Sequence, residues 1–493
     1  MPKSTTASFI HELKLKITPH EKRVLSKRLE AGRQLYNACL GESLKRLRQL
    51  RESKIYQKAR HLPREQKNAT GKRVANAERK QLFKEASHRF GFSEYALHKY
   101  LTQTYSKSWL TGHIDSLTAQ KIASRAFGAV SRYAYGQGGK PRFKSKGRFQ
   151  SVEGKNNASG IRFVDGKVLW SIKGKEKLIL RPQYDDKDKD GLEAHALSCK
   201  TKYVRLVERQ GHWSVQLVQT GSPYKKAKHH ITKATVGLDI GPSTIAIVGE
   251  TQATLQAFCK DVIDYQSIIK YHQRALSRSL RLNNPGNFKS GNIAKGQKRW
   301  AKSERYQQRL SVVKQLQRKM AAARKCAHGW LANQIIGLGN TIKTEKLSYK
   351  AFQKQFGKSV GARAPGLFLN LLRRKAESAG GEVIEFNTRT TALSQRCHCG
   401  AREKKTLSTR WHNCKTCGIS AQRDLYSAFL ARFVDNEQLD TSQAQKAWAG
   451  VDMLLARAVS SLEQTAIGKA RLASFGLRSK SELFACEMGI GNP

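Results

Sequence analysis

Cysteines come as two close pairs between Ser394 and Asp424, and their spacing restricts the local fold more than any other feature of the chain. The stretch reads SQRCHCGAREKKTLSTRWHNCKTCGISAQRD and holds four of the nine cysteines, Cys397 with Cys399 and Cys414 with Cys417. A glycine follows each pair, Gly400 and Gly418. Such a step suits a tight knuckle, in which backbone N–H groups turn towards a thiolate and only glycine takes a positive φ without strain. Two paired ligands joined by a short basic loop are what a tetrahedral zinc ion needs. A disulfide framework is the competing reading. Against it, Cys39, Cys199, Cys259, Cys326 and Cys486 are scattered and odd in number. The opening MPKSTTASFIHELKLKI also lacks the apolar core of a secretory signal, so a reducing compartment is expected. The first pair is Cys-x-Cys, one residue shorter than the commoner Cys-x-x-Cys, which leaves room for His398 or His412 to replace a ligand. A ribbon of this size is a structural device that holds a loop.

Charge sets the class of partner. Of 493 residues, 91 are Lys or Arg against 37 Asp or Glu, a formal net charge of +54. A chain so basic repels itself unless it holds a polyanion, and nucleic acid is the usual one. An anionic membrane is the rival. No run of about 18 apolar residues and no long basic amphipathic helix with an aromatic face supports it. The expectation is a cytoplasmic, nucleoid-associated protein on a long nucleic-acid footprint.

Periodicity then divides the chain. Phe9, Leu13, Leu15 and Ile17 alternate with Glu12, Lys14 and Lys16, a half-buried strand. Thr18-Pro19-His20-Glu21 is a capping box with proline at the first helical position. From there to about residue 130 the chain reads as helices rich in Arg and Lys. Residues 131–150 interleave Arg132, Lys140, Arg142, Lys144, Lys146 and Arg148 with Tyr133, Tyr135, Phe143 and Phe149. Cations and rings on a glycine-rich backbone can track phosphates and stack on bases. A solvated loop with a few anchoring aromatics explains them equally well. Strands follow: residues 161–164 and 167–170 around an Asp165-Gly166 turn, then 177–180, then 203–207 and 213–218 around Gln210-Gly211. With the opening strand they predict one small antiparallel barrel or sheet into which the helical block is inserted. Tyr224 to His230 reads as a basic linker.

A second domain is expected from about Thr232. Residues 234–241, ATVGLDIG, form an apolar strand with one acid, Asp239, near its end, and residues 244–248 form a second strand. A carboxylate in so apolar a run is costly unless it is paired or bound to a cation. Residues 262–335 read as a long basic helical hairpin broken at Asn283–Gly286. A short strand then ends in Glu345, a helix runs from about Pro365 to Ala379, and another strand spans 382–386. After the cysteines, Asp424 heads an apolar helix. The tail beyond about 436 carries some amphipathic helix around 446–463 and no chemistry.

Asp239, Glu345 and Asp424 therefore share a setting, each at the end of a strand or the head of a helix. Their separation in sequence leaves convergence to the fold. If the strands are neighbours, three hard oxygen ligands with open positions would hold two Mg²⁺ ions about 3.5–4 Å apart, with Mn²⁺ fitting the same donors. Such a pair activates water on one side of a phosphodiester and stabilises the leaving oxygen on the other.

GLDIG, KTEKLS and a paired-cysteine ribbon followed by QRDLYSA, in that order, resemble the split RuvC-like nuclease of TnpB proteins. These are insertion-sequence-encoded, RNA-guided DNA endonucleases related to type V CRISPR effectors. GKPRFKSKGRF also resembles the family's Pro-Arg-Phe-Lys region. The resemblance covers about residues 1–435 and is strongest over 232–432. It implies an α+β multidomain fold. A barrel-like wedge domain would comprise residues 1–18 and 131–228, with a helical recognition lobe, 19–130, inserted. An RNase H-like (RuvC) α/β nuclease domain would follow at 229–393 and 421–435, with the zinc ribbon, 394–420, inserted and a tail over 436–493. It implies Asp239, Glu345 and Asp424 as catalytic magnesium ligands, and Cys397, Cys399, Cys414 and Cys417 as zinc ligands of a target-nucleic-acid-binding insert. Guide RNA and double-stranded target DNA would be the partners, with base pairing reading the sequence and protein reading shape and a short adjacent motif. Lys140, Arg142, Lys144, Lys146 and Arg148 are candidate nucleic-acid contacts. Two departures stand out: the short first cysteine pair, and Tyr426 where the family often carries Asn. Nuclease-dead relatives lose one or more of the acids, whereas this chain keeps all three. A guide-RNA-dependent repressor without cleavage would bind target DNA and give no metal-dependent products. A transposase would give strand-transfer products without RNA.

Overall fold

The computed structural model describes residues 7–67, 73–189, 191–209, 211–225, 231–260, 262–296, 298–406, 409–465 and 475. The chain forms two compact units, Met1–Lys226 and Ala227–Pro493. Gln210 of the expected turn and residues 226–230 of the expected linker lie outside the described residues.

In the first unit, β1 (Ser8–Lys16) buries His11, Leu13 and Leu15 on one face and exposes the residues between them, the period-2 pattern of a half-buried strand. Thr18 then caps α1 (Pro19–Glu52). Its hydroxyl accepts from the Glu21 N–H at 3.2 Å, and the Glu21 carboxylate accepts from the Thr18 N–H at 2.7 Å. Further helices follow at Lys54–His61, Ala77–Arg89 and Glu94–Ser106, and then α2 (Ser116–Ala134). The chain returns to strands at β2 (Ser151–Glu153), β3 (Ile161–Val164), β4 (Lys167–Trp170), β5 (Leu178–Gln183), β6 (Thr201–Arg209) and β7 (His212–Thr220). The strand order is β2-β6-β7-β1-β5-β4-β3, antiparallel throughout. The sheet curls so that β3 comes to lie against β6. Asp165 and Gly166 both adopt positive φ, 46° and 70°, as a two-residue hairpin turn requires.

Sheet and helices share one buried core, in which Leu25, Leu35 and Leu40 of α1 and Ile122 of α2 join Trp170, Leu180 and Leu217 of the strands. Trp170 is the pivot. Its indole N–H donates to Asp115 at 2.9 Å, Asp115 caps α2 through the Thr118 N–H, and the Arg28 guanidinium covers the ring at 4.6 Å. Truncating such a side chain to Ala costs ~3–5 kcal/mol.

The second unit is built on a five-stranded sheet: β8 (Thr235–Ile240), β9 (Thr244–Val248), β10 (Ala253–Ala257), β11 (Thr341–Glu345) and β12 (Glu382–Phe386), in the order β10-β9-β8-β11-β12. β8, β9 and β10 are antiparallel, and β11 and β12 run parallel to β8. Parallel neighbours need crossovers, and long helices provide them: α3 (Val262–Leu282), α4 (Glu304–Leu338) and α5 (Pro365–Ser378). α4 and α5 cover one face, where Leu331, Ile335, Phe368 and Leu372 meet Val236, Leu238, Ile240 and Ile342. The other face carries α6 (Arg423–Ala431), α7 (Thr441–Trp448) and α8 (Val451–Thr465), whose Leu425, Phe429, Ala444, Val451 and Leu455 pack with Ala246, Val248 and Leu255. The stretch from 441 to 465, which carries no chemistry in the sequence, is thus part of this core. Ala449 and Gly450 separate its two helices, Gly450 at φ 94°. Among the described residues, no helix is long and apolar enough to cross a membrane.

Candidate functional site

Register puts the first two acids side by side. β8 and β11 run parallel with Gly237 beside Lys343 and Leu238 beside Thr344. One step further along both strands stand Asp239 and Glu345, on the face shared with Gly237 and Lys343 because side chains alternate. A bond from the Thr344 hydroxyl to the Leu238 carbonyl, 3.2 Å, ties the strands just before them. That face is also the one α6 covers. A methyl group at Gly237 would lie 1.8 Å from the Ala428 carbonyl oxygen, so helix backbone lies directly on strand backbone where glycine leaves room.

Asp424 occupies the first turn of α6. The Gln422 side chain caps that turn by accepting from the Leu425 N–H at 2.8 Å. Beyond the helix, the Lys343 ammonium, buried on the sheet, donates to the Val434 carbonyl and to Asp435, both at 2.7 Å. Arg432 donates to the Thr235 carbonyl at 3.2 Å. The third acid is therefore placed by packing along the whole helix.

The electrostatics record the convergence. The Asp239 carboxyl is held well above the usual carboxylate range, first by burial and then by the charges of Asp424 and Glu345, against the opposing pull of Arg423 and Arg410. Burial pushes Glu345 up to about 7, opposed by the Leu393 N–H. Asp424 has guanidinium neighbours instead, Arg423 at 3.4 Å and Arg410 at 3.7 Å. Arg423 is itself fixed by the carbonyls of Thr409, 2.7 Å, and Thr406, 3.2 Å. Asp239, raised by burial and by its two carboxylate neighbours, belongs to a set of oxygen donors whose repulsion a hard divalent cation relieves. They are spread more widely than the thiols: among the described residues, only the cysteine quartet brings three or more such ligand atoms all within 4.8 Å of one another.

That quartet is Cys397, Cys399, Cys414 and Cys417, all free thiols. Sγ of Cys397 lies 3.5 Å from that of Cys417, and Sγ of Cys399 lies 3.6 Å from that of Cys414. Zn–S bonds of about 2.3 Å in a tetrahedron separate sulfurs by about 3.8 Å, so these spacings fit a zinc ion and exceed any S–S bond. Both knuckles form. The Cys397 N–H donates to the Ala401 carbonyl at 2.8 Å and the Cys414 N–H to the Ile419 carbonyl at 2.9 Å, with Gly400 and Gly418 at φ 90° and 72°. Burial raises the Cys414 thiol, but the N–H groups of Cys417 and Thr416, together with the Cys417 and Cys399 thiols, outweigh burial and bring it down to about 6, whereas burial holds the Cys397 and Cys417 thiols above the usual range. The quartet could hold zinc as a thiolate set.

The histidines do not replace a ligand. His398 and His412 are buried, but His398 Nδ1 faces the Tyr426 hydroxyl at 2.9 Å, and His412 stacks on the Tyr426 ring with centroids 4.4 Å apart and Nδ1 on Lys405. The Cys-x-Cys pair supplies two thiols to the cluster of four without either histidine.

The basic, ring-bearing segment divides into two roles. Phe149 is buried against Tyr36 and beneath Arg125, an anchor, whereas Tyr135 and Phe143 stand 72% and 61% exposed. Lys144 is half-buried, its backbone gripped by Asn37 through two bonds of 2.8 and 2.9 Å, with Arg33 also on its carbonyl at 2.9 Å. Lys140, Arg142, Lys146 and Arg148 project into solvent from this pinned backbone.

Gly237, Lys343, Arg410 and the Tyr426 hydroxyl were not singled out as site residues by sequence. Two of them leave a signal: Gly237 as a small residue inside an apolar strand, and Tyr426 as a departure from the Asn that the resemblance expects.

No curated protein matches the chain. Among solved structures, it is similar to a chain of the cryo-EM structure of the Cas12f1–sgRNA–target DNA complex at 12% identity and a TM-score of 0.48, over 86% of this chain and 98% of that one. It is also similar to the mini-RNA-guided endonuclease CRISPR-Cas phi3 at 11% identity and a TM-score of 0.31, over 57% of each chain. Residues 366–430, from the start of α5 through the cysteine ribbon to α6, match the family described as Cas12f1-like, TNB domain.

Proposed function

We propose that this chain is an RNA-guided, divalent-metal-dependent DNA endonuclease of the TnpB type, associated with an insertion sequence, whose RuvC-like site is built from Asp239, Glu345 and Asp424. The observation that carries the proposal is the electrostatic convergence of these three acids at one end of a β8–β11 pair roofed by α6. The sheet order, with three antiparallel strands continued by two parallel ones, supports an RNase H-like reading. The family match across the ribbon supports an effector-type nuclease.

In this reading the three carboxylates hold Mg²⁺, or Mn²⁺, which supplies Lewis-acid stabilisation of phosphodiester oxygens and an acidified water. Strand register fixes Asp239 and Glu345, and the Gln422 cap with the α6 contact at Gly237 fixes Asp424. Arg410 and Arg423 give the site cations of its own for a DNA phosphate. The four thiols hold zinc and keep the ribbon beside Asp424. The wedge (1–18 and 131–228) and the recognition helices (19–130) grip guide RNA. Lys140, Arg142, Lys144, Lys146 and Arg148 contribute from the pinned loop, and the site of action is the cytoplasmic nucleoid.

The test is to express the chain with its flanking genomic DNA, purify it and sequence the RNA that co-purifies. A discrete RNA with a constant part from the transposon end and a variable 3′ end is expected. Random fragments, or none, would turn the reading towards a transposase or a plain DNA-binding protein.

A further inference from the structure

Tyr426 stands where the resemblance expects Asn, and the structure gives its hydroxyl three partners. The side chain is 1% exposed, its ring stacked on His412 and set edge-on to Trp448 at 5.4 Å. The hydroxyl oxygen lies 2.9 Å from the His398 backbone N, 2.9 Å from His398 Nδ1 and 3.3 Å from Cys397 Sγ. A phenol has one proton and two lone pairs. The His398 N–H can only donate, so it takes one lone pair. The proton then goes either to Nδ1 or to sulfur. A metal-bound Cys397 is a thiolate with no hydrogen to give, and the second lone pair aimed at it would be repulsive. The proton must therefore point at sulfur, and His398 must carry its own hydrogen on Nδ1 and donate it to the second lone pair. Every hydrogen in the cluster is then used.

We infer that the Tyr426 hydroxyl donates a hydrogen bond to the Cys397 thiolate of the zinc site. It is thereby a positioning residue that ties the first turn of α6, which carries Asp424, to the ribbon. The inference rests on the zinc reading of the quartet. A bond of this kind to a ligand atom stabilises the metal, and its removal typically costs about 10–100-fold in affinity. The tie is short: Tyr426 lies two residues beyond Asp424, while Cys397 lies on the far side of the ribbon.

Tyr426→Phe tests it, because the ring and its stacking remain and only the hydroxyl goes. Two quantities are read on the full chain, neither of which needs cleavage. The first is the rate at which 4-(2-pyridylazo)resorcinol strips zinc, expected to rise about tenfold. The second is the sulfur-to-metal charge-transfer band of the cobalt(II)-substituted protein. A thiolate relieved of a hydrogen bond is a better electron donor, so the band is expected to move to longer wavelength. His398→Phe is the companion variant. It leaves sulfur as the only side-chain acceptor for the hydroxyl, so neither the band nor the release rate should follow the Tyr426→Phe change. An unmoved band and unchanged release in Tyr426→Phe overturn the inference, as does an equal change in both variants. Wild-type protein that carries no zinc and takes up no cobalt overturns the zinc reading and this inference together, an outcome distinct from the others.

Discussion

The four thiols come from a single stretch, Cys397 to Cys417, whereas the three carboxylates come from β8, β11 and α6. The quartet closes to sulfur spacings of 3.5 and 3.6 Å because two local turns aim it. The acids sense one another only because a parallel register and a helix lying on Gly237 bring them together. A local site is thus vulnerable at its ligands, and an assembled site is vulnerable at packing remote from its ligands. The two share a boundary, since Cys397 and Cys414 belong to the same buried cluster as Leu425, Tyr426 and Phe429 of α6.

Removing the metal should separate the two sites most sharply. Chelation of zinc is expected to raise hydrogen exchange by orders of magnitude in β13 (Trp411–Asn413), β14 (Ser420–Gln422) and the first turn of α6, and to leave the β8–β11 ladder protected. Uniform exchange over the whole second unit would erase the distinction between a local and an assembled site. Gly237→Ala probes the other side. A methyl group 1.8 Å from a carbonyl oxygen must push α6 away, with an expected loss of about 3 kcal/mol in a denaturant melt and a loss of cleavage while zinc content stays unchanged. Full stability in that variant would mean that the helix does not lie on the strand as described.

Acidity offers a smaller handle. His328 of α4 is buried between Phe258 and Phe368 with Nε2 2.9 Å from the Arg363 carbonyl, and burial lowers it to about 4. Between that value and its ordinary 6.5, the unfolded chain binds a proton that the folded chain refuses, so stability falls as pH drops through this window. The expected loss is on the order of 2–3 kcal/mol, and His328→Gln should flatten that part of the pH profile. An unaltered profile would exclude His328 as its source. The smallest effect has the opposite sign. Asp239 is raised by burial and by like charges, so its ionisation costs stability above the ordinary carboxylate range and costs nothing below it. Asp239→Asn should therefore raise Tm near neutral pH and leave it unchanged near pH 3. A lower Tm at neutral pH would show that the carboxylate is held by favourable partners.

What the sequence disclosed follows the same division. The cysteine knuckles, the Thr18–Glu21 capping box and the Asp165-Gly166 hairpin are set by residues a few positions apart, and each formed as its pattern implied. β10 escaped notice because ATLQA is an edge strand with one buried residue, too little alternation to stand out. The helices at 441–465 looked like a tail because their apolar faces have meaning only against β9, β10 and α6. The helices expected over 19–130 read as an insertion between strands, and Trp170, Asp115 and Arg28 join the two in one core. Asp239, Glu345 and Asp424 could be nominated from the sequence, but their meeting depends on register and on a glycine contact that no local pattern records.

The most direct test of the account is DNA cleavage by the purified ribonucleoprotein on a matched target, with Mg²⁺ or with EDTA. Wild type would be compared with Asp239→Asn, Glu345→Gln and Asp424→Asn, each confirmed to retain zinc and RNA. Double-strand breaks are expected in wild type with Mg²⁺ alone, and cleavage about 10²–10³-fold slower in every variant, the scale expected when a charge-stabilising group of an active site is lost. Cleavage at the wild-type rate by any one of the three, or in EDTA, would contradict the account.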